Sequence, residues 1–509
     1  MKTGKIIITL LLLLSSALTA AGEDTVRQQG CRRPGAQASS VTHPPSTGGA
    51  GRGCPSSLHR ATQGSHYIGE RHQLTVLASF TDQSFAQDDP VPTWERILNA
   101  HNYTEEPFFG SVHDYFYSQS YGQFDVTFDI VYIPLASARS RYRSTRADDE
   151  NSQFLVIDLA RQLQTLNIDW SLYDWDADGY VDQLLVIYAG KGSGYGGFGG
   201  GTDAIWPHQY WLSNHIDPTT QEPCQPYTVT DAYGADYKID SYCAVNELYR
   251  DASYGSFGTI CHEYSHCFGF PDFYYGSGTS VVDEWDLMDN GNNNRGGFCP
   301  PGYSAHERWF MGWLTLTELS EPATVAALPA LGTAPQAFLV RNDAHPDEYY
   351  VVENRQQQGW DQSLPGSGLV VFHVDYDYDL WTGYLEAVNS SSRKRYSIVP
   401  ANNNTSTSYS YGWAYPYGDN NQLTDTSAPA ATLLYANTTG SKLMGKPLTH
   451  ISLTDGLASF DFMGGDPSAV SVVGRPSAQS TAVYNLQGLR VATPRKGLYI
   501  RNGRKYILH

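Results

Sequence analysis

The chain has 509 residues, 17% of them charged, with a formal net charge of −19 and a sequence pI of about 5.1. That length allows two or three domains rather than one. The acidic surplus repels phosphate backbones and excludes general nucleic-acid binding, while 41% hydrophobic residues with 36 Tyr and 48 Gly exclude a disordered chain and favour a folded, loop-rich, β-leaning one.

Residues 1–21 read as a signal peptide. Lys2 and Lys5 give the positive start, Ile6 to Leu14 a short apolar run broken only by Thr9, and Ser15 to Gly22 a small-residue stretch suited to cleavage after Ala20 or Ala21. The run is too short to span a bilayer comfortably, and no later one is long enough. The expectation is an exported protein, secreted or at the cell surface, with no transmembrane segment after signal removal. Residues 22–72, rich in Gly, Pro, Ser and Thr, read as a flexible leader or short pro-segment.

Structure is expected from Gln73. Leu74–Phe80 has the pattern of a buried strand, residues 112–135 of a helix, a turn and a strand, residues 151–166 of a helix, and Val181–Gly190 of a second buried strand. Residues 73–314 are therefore assigned a mixed α/β (α+β) fold. After Leu314 the helical pattern fades. AFLVRN, EYYVVENR, GLVVFHVDYD and ASFDFMGG are β-rich segments separated by Pro, Gly and Asn clusters, so residues 315–465 read as a β-sandwich-like domain. Residues 466–509 read as a short C-terminal β-module with a turn at Asn502-Gly503.

Seven cysteines leave at least one unpaired. Cys224 with Cys243, or Cys31 with Cys54, are candidate pairs by proximity alone. Cys261 and Cys267 are not, because six residues on one helix span about 9 Å along its axis, beyond what a disulfide tolerates.

The chemistry concentrates in TICHEYSHCFGFPDFYYG, which starts at Thr259. His262 and His266 are one helical turn apart on one face, so two imidazoles can reach one Zn²⁺. Glu263 is placed to accept a proton from metal-bound water. Gly269 suits the left-handed turn that ends a helix, and Pro271 does not continue one, so the chain can fold back and bring Asp272 to the metal as third ligand. Glu284, 18 residues after His266, competes for that place, but VVDEWDLMDNGNNN is not a convincing helix and Asp272 is preferred.

A second cation site is read from D-W-D-A-D-G-Y-V-D. Asp174, Asp176 and Asp178 alternate, Gly179 stands sixth, and the twelfth position, Leu185, lacks the glutamate of an EF-hand, so Asp182 is the candidate to close a Ca²⁺ site. An acidic, solvated turn is the plainer alternative.

HEYSHCFGFPD resembles the metzincin-type signature in which Asp replaces the third His, and WDLMDNG (Trp285–Gly291) resembles the methionine turn of that clan, with Met288 as its methionine. With GSVHDYFYSQSYGQFDVTFDI, DWDADGYVDQLLVIYAG, IWPHQ and ENRQQQGWDQSLPGSGLVVFHVD, they resemble the immune inhibitor A-like family of secreted bacterial zinc metallopeptidases, over roughly Gln73 to Gly464. The resemblance implies a zinc-dependent endopeptidase acting on protein or peptide substrates, with a metzincin-like catalytic domain followed by a β-rich one. Little of the long folded pro-domain expected in some relatives is seen in this sequence, which leaves the means of latency open. Cys31, in the leader, is a candidate thiolate to cap the zinc in a latent form.

Other residues carry weaker claims. His208 and His373 read as hydrogen-bonded structural histidines, and Glu353 with Arg355 as an ion pair of the β-rich domain. Tyr274, Tyr275 and Tyr303 are candidates for a phenol near the oxyanion, and nothing in the sequence separates them. AVYNLQGLRVATPRKGLYIRNGRKYILH resembles short C-terminal modules on exported proteins of Gram-negative bacteria, some of which serve in outer-membrane sorting; a plain β-appendage is the alternative.

Overall fold

The computed structural model describes residues 67–144, 151–193, 204–249, 254, 257–276, 278–377, 380–381 and 388–466, with the backbone of short strands beyond. The signal segment, the leader to residue 66 with Cys31 and Cys54, and the Asn502-Gly503 turn lie outside the described residues.

The first half opens with β1 (Gly69–Ser79), helices α1 (Val91–Asn99) and α2 (Val112–Gln119), β2 (Phe124–Pro134) and α3 (Ser152–Leu163). Strands β3 (Tyr180–Val181), β4 (Leu184–Lys191), β5 (His208–Trp211), β6 (Tyr227–Thr230), β7 (Asp236–Ile239) and β8 (Ser241–Leu248) lead into α4 (Phe257–Cys267), and α5 (Ala305–Phe310) follows. The main sheet has the order β2-β1-β4-β8-β5. Its first four strands are parallel and β5 pairs antiparallel with β8.

Parallel strands covered on both faces read as near-continuous apolar runs, and the central β4 does. On β4, Leu185, Ile187 and Ala189 enter one buried cluster while Leu184, Val186 and Tyr188 enter another on the opposite face. The first face carries α1, α2 and α4; the second carries α3. The run expected at Val181–Gly190 divides between two sheets. Tyr180–Val181 pairs with β7 in a small sheet of order β3-β7-β6, and Leu184–Lys191 joins the main one.

The second half holds β9 (Thr317–Glu318), β10 (Ala323–Leu328), β11 (Phe338–Asn342), β12 (His345–Arg355), β13 (Gly368–Asp375), β14 (Tyr396–Ile398), β15 (Leu448–Thr454), β16 (Leu457–Phe462) and β17 (Val470–Ser471). One sheet has the order β14-β13-β12-β11-β9 and the other β15-β16-β10-β17. Side-chain alternation decides what the first of these faces. Tyr350 and Val352 of β12 and Leu369 and Val371 of β13 share a core with Val325, Phe460 and Phe462 of the second sheet. Their neighbours Tyr349, Val351, Val370, Phe372 and Val374 belong to the same cluster as α4 and the first half. This sheet is a wall with a core on each side.

The architecture is mixed α/β, with several sheets and few helices. No helix among the described residues is long and apolar enough to cross a membrane. Cys224 and Cys243 are both free, which corrects the pairing considered for them: Cys243 points from β8 into the core under α4. Cys261, Cys267 and Cys299 are free as well.

Candidate metal centre

Helix α4 is positioned by an apolar stripe. Phe257, Ile260, Cys261 and Tyr264, with Phe268 just beyond, recur at helical spacing and sink into the core shared with β8, α2 and the 285–288 segment. The adjoining face carries His262, Glu263 and His266, all buried. Gly269 follows in a left-handed conformation (φ +95°), where a side chain would be strained, and its N–H returns to the His266 carbonyl at 2.9 Å. The chain then turns back through Pro271 to Asp272.

This turn brings Asp272 onto the two imidazoles. Its Oδ1 lies 3.2 Å from His262 Nε2 and 3.3 Å from His266 Nε2. The two rings are 4.8 Å apart, centroid to centroid, and nearly perpendicular. Ligands about 2.0–2.1 Å from a tetrahedral ion stand about 3.3 Å from one another, so these separations are those of three atoms facing one cation. His262 Nε2 and Asp272 Oδ1 are buried and, among the described residues, have no hydrogen-bond partner beyond this mutual contact. Glu284 lies outside this group of candidate ligands, and its backbone carbonyl accepts from the Asn294 amide instead.

The other ring nitrogens set the tautomers. His262 Nδ1 donates to the Leu287 carbonyl at 2.8 Å and His266 Nδ1 to that of Phe270 at 2.7 Å. Each Nε2 lone pair is then left facing Asp272. Burial alone would raise the Asp272 carboxyl, but the charge of His266 and the hydrogen bonds of both histidines outweigh it and hold it well below its usual range. Burial likewise lowers His262, yet the Asp272 contact and charge, helped by Glu263, push it up to about 9. Two imidazoles and one carboxylate suit zinc and leave a fourth position for water or substrate.

The floor is the 285–289 turn. The Phe273 N–H donates to the Met288 carbonyl at 2.9 Å, and Asp286 Oδ1 accepts the Met288 N–H at 2.9 Å. Met288 itself is fully buried in the core. Of the tyrosines considered, Tyr303 is buried with its hydroxyl against that of Ser265, beneath the helix. Tyr275 carries the Lys394 ammonium 3.5 Å over its ring.

Asp174, Asp176 and Asp178 also converge, with carboxylate oxygens within 4.8 Å of one another. Their oxygens already accept N–H groups of the same loop: Asp178 N donates to Asp174 at 3.0 Å and Tyr180 N to Asp178 at 2.8 Å. Asp182 is not in that group and accepts the Trp175 N–H at 2.6 Å. Burial pushes its carboxyl up to about 8, against that hydrogen bond and with help from the three neighbouring aspartates.

His208 donates from Nδ1 to the Trp206 carbonyl at 2.6 Å and meets the Tyr242 hydroxyl at 2.9 Å, and His373 meets Glu348 at 2.9 Å, so both are hydrogen-bonded structural histidines. Arg355 pairs with Glu353 at 3.2 Å, both fully buried. Sequence reading missed what this pair does. Arg355 also grips Asp361 at 2.7 Å and donates to the Gly302 carbonyl at 2.8 Å, while Glu353 accepts the Ala305 N–H at 2.6 Å. The ion pair fastens β12 to the segment entering α5. Asp286 and Tyr396 were missed too; their meeting across the chain leaves no trace in local pattern.

Residues 94–312 match the family model of the immune inhibitor A peptidase M6 catalytic domain. The pre-pro-metalloprotease PrtV of Vibrio cholerae serotype O1 is 26% identical over 227 residues, 40% of this chain. Immune inhibitor A of Bacillus thuringiensis subsp. alesti is 29% identical over 156 residues, 28% of this chain. The chain spans 24% of the first relative's length and 21% of the second's. The resemblance to the immune inhibitor A-like family is borne out over this stretch, and with it a catalytic sequence of metallopeptidase type.

Proposed function

We propose that the protein is a secreted zinc-dependent endopeptidase whose metal is held by His262, His266 and Asp272. The observation that carries the reading is the convergence of both Nε2 atoms on one buried Asp272 oxygen, at 3.2 and 3.3 Å, on the helix that also bears Glu263. Bound zinc supplies Lewis acidity, lowering the pKa of a coordinated water towards ~7 and polarising the scissile carbonyl. The chain's own residues do the rest. The carbonyls of Leu287 and Phe270 keep both imidazoles in the ligating tautomer. Glu263 takes the proton of the attacking water and passes it to the leaving amine. Met288 supports the floor and does not ligate.

A two-histidine, one-carboxylate set also serves iron oxygenases. Glu263 beside the first histidine and the M6 match favour hydrolysis. A binding protein with an idle zinc site is the rival class, and the large β-rich half gives it some weight. Glu263 weighs against it, since a purely structural site has no use for a base there.

The test is Glu263→Ala. Zinc should remain stoichiometric while casein cleavage falls by roughly 10²–10⁴-fold, the usual worth of a general acid–base group. A variant that cleaves at the parent rate sinks the assignment. Full activity in the presence of a chelator that has stripped the metal would sink it equally.

The remaining parts of the reading go with this one. Residues 315–465 are taken as a sandwich-like domain, residues 466–509 as a short β-module, either a sorting signal or a plain appendage, and the Asp174–Asp182 loop as a structural Ca²⁺ site in which Asp174, Asp176 and Asp178 lead. Calcium at 100 times its dissociation constant would then stabilise the fold by about 2.7 kcal/mol. Thermal melts with calcium and with a calcium chelator should differ accordingly, and identical melts would leave the loop an acidic turn.

A further inference from the structure

The segment from Val388 to Ile398 belongs to the β-rich half, yet it touches both arms of the metal centre. On the His262 arm, the Tyr396 hydroxyl of β14 donates to Asp286 Oδ2 at 3.0 Å and lies 2.9 Å from the Ser304 hydroxyl. Asp286 Oδ1 takes the Met288 N–H, and between these two residues stands the Leu287 carbonyl that receives His262 Nδ1. On the Asp272 arm, the Phe273 ring stacks on Tyr396 with centroids 3.9 Å apart, and the Asn389 amide donates to the Phe273 carbonyl at 2.7 Å and to that of Tyr396 at 2.8 Å. Asn389 and Tyr396 are fully buried and Asp286 is 1% exposed, so water cannot replace these contacts.

We propose that Tyr396 is a positioning residue for the metal, holding through one side chain the turn that orients His262 and the residue that follows Asp272. The inference rests on the metal centre proposed above. Its physical basis is that a metal-bound imidazole is only as well placed as the acceptor of its second nitrogen, and that acceptor is only as fixed as its own supports. The Leu287 carbonyl sits in a turn closed by Asp286. Asp286 keeps its angle because both its oxygens have donors, one of them 110 residues away in the sequence. The β-rich half is thereby part of the metal site without contributing a ligand.

The experiment compares Tyr396→Phe with Tyr350→Phe in the full chain. The first keeps the ring and its stacking and deletes only the hydroxyl. The second deletes an equally buried hydroxyl on the other side of the wall, bonded to the Thr432 carbonyl at 2.6 Å. Zinc affinity is read by competition with a chromophoric chelator, and the cobalt-substituted protein by its visible spectrum. Tyr396→Phe should weaken zinc binding by about 10–100-fold, the usual cost of losing an outer-sphere partner, and alter the cobalt spectrum. Tyr350→Phe should leave both unchanged. Parental zinc affinity and an unaltered spectrum in Tyr396→Phe would overturn the proposal, as would an equal loss in Tyr350→Phe. If Tyr396→Phe does not fold, Asp286→Asn probes the same link with the same readouts. A parent protein that binds no zinc would overturn the metal-centre reading itself, and this one with it.

Discussion

In the proposed site, Asp272 is what separates a metal centre from a pair of helical histidines. Without it, no carboxylate oxygen would stand against the two Nε2 atoms of α4; with it, three candidate ligand atoms lie within 4.8 Å of one another. Asp272→Ala should therefore lose zinc under dialysis conditions in which Glu263→Ala keeps it, and metal analysis of both variants checks the pair. Elsewhere, His208 and His215 share the Tyr242 hydroxyl, at 2.9 and 2.8 Å. Burial lowers them to about 4 and about 3, with the neighbouring His208 adding to the shift of His215. Both folded values lie below the unfolded value of about 6.5. The stability they contribute is present above that pH and is lost as the pH falls towards 4. Their contribution is read as a difference: between pH 7 and pH 5 the urea midpoint of the parent should fall relative to that of His215→Asn, and parallel midpoints would contradict it. The two histidines of the proposed ligand set were readable from spacing because a helix converts four residues into one turn, and Asp272 from the Gly269 and Pro271 that end that helix. Leu287, Asp286 and Tyr396 were not readable, since their roles depend on contacts 25 and 110 residues apart.

At the scale of elements, α4 depends on how closely it meets the turn at Asn290–Gly297. A Cβ added at Gly258 would come 2.0 Å from the Asn292 carbonyl oxygen and 3.1 Å from that of Gly297. Backbone cannot step aside as a flexible side chain would, so Gly258→Ala should cost at least about 1–3 kcal/mol, the usual range for overpacking. It should also loosen zinc, because the same displacement tilts His262. Denaturant melts and chelator competition measure the two effects. The helix itself was legible from the spacing of His262 and His266 and from Gly269, and α2 from the helical pattern that starts at Val112. The strand expected at Val181–Gly190 was legible only in part. Its apolar run hid the change of sheet after Val181, which follows from pairing with β7 rather than from composition. The pairing considered for Cys224 and Cys243 failed for a related reason: nearness in sequence says nothing about which face of β8 a thiol occupies.

Across the whole molecule, the wall formed by β11 to β14 governs the organisation. Alternate residues of β12 and β13 face the metal half and the second sheet, so removing the second half would expose Tyr349, Val351, Phe372 and Tyr396 partners in the first. A fragment of residues 67–314 should accordingly fail to unfold cooperatively or to hold zinc, whereas the full chain should do both; calorimetry with metal analysis tests this. The change of composition at Leu314 was visible in the sequence, but the core that runs across it was not, because period-two patterns do not say what each face packs against.

The central claim is that one zinc ion is gripped by two imidazoles and one carboxylate. X-ray absorption at the zinc edge of the purified full-length protein tests it most directly. The account predicts nitrogen and oxygen neighbours at about 2.0–2.1 Å, two of them imidazoles, and no sulfur. A sulfur shell at about 2.3 Å, or protein without stoichiometric metal after zinc loading, would contradict it.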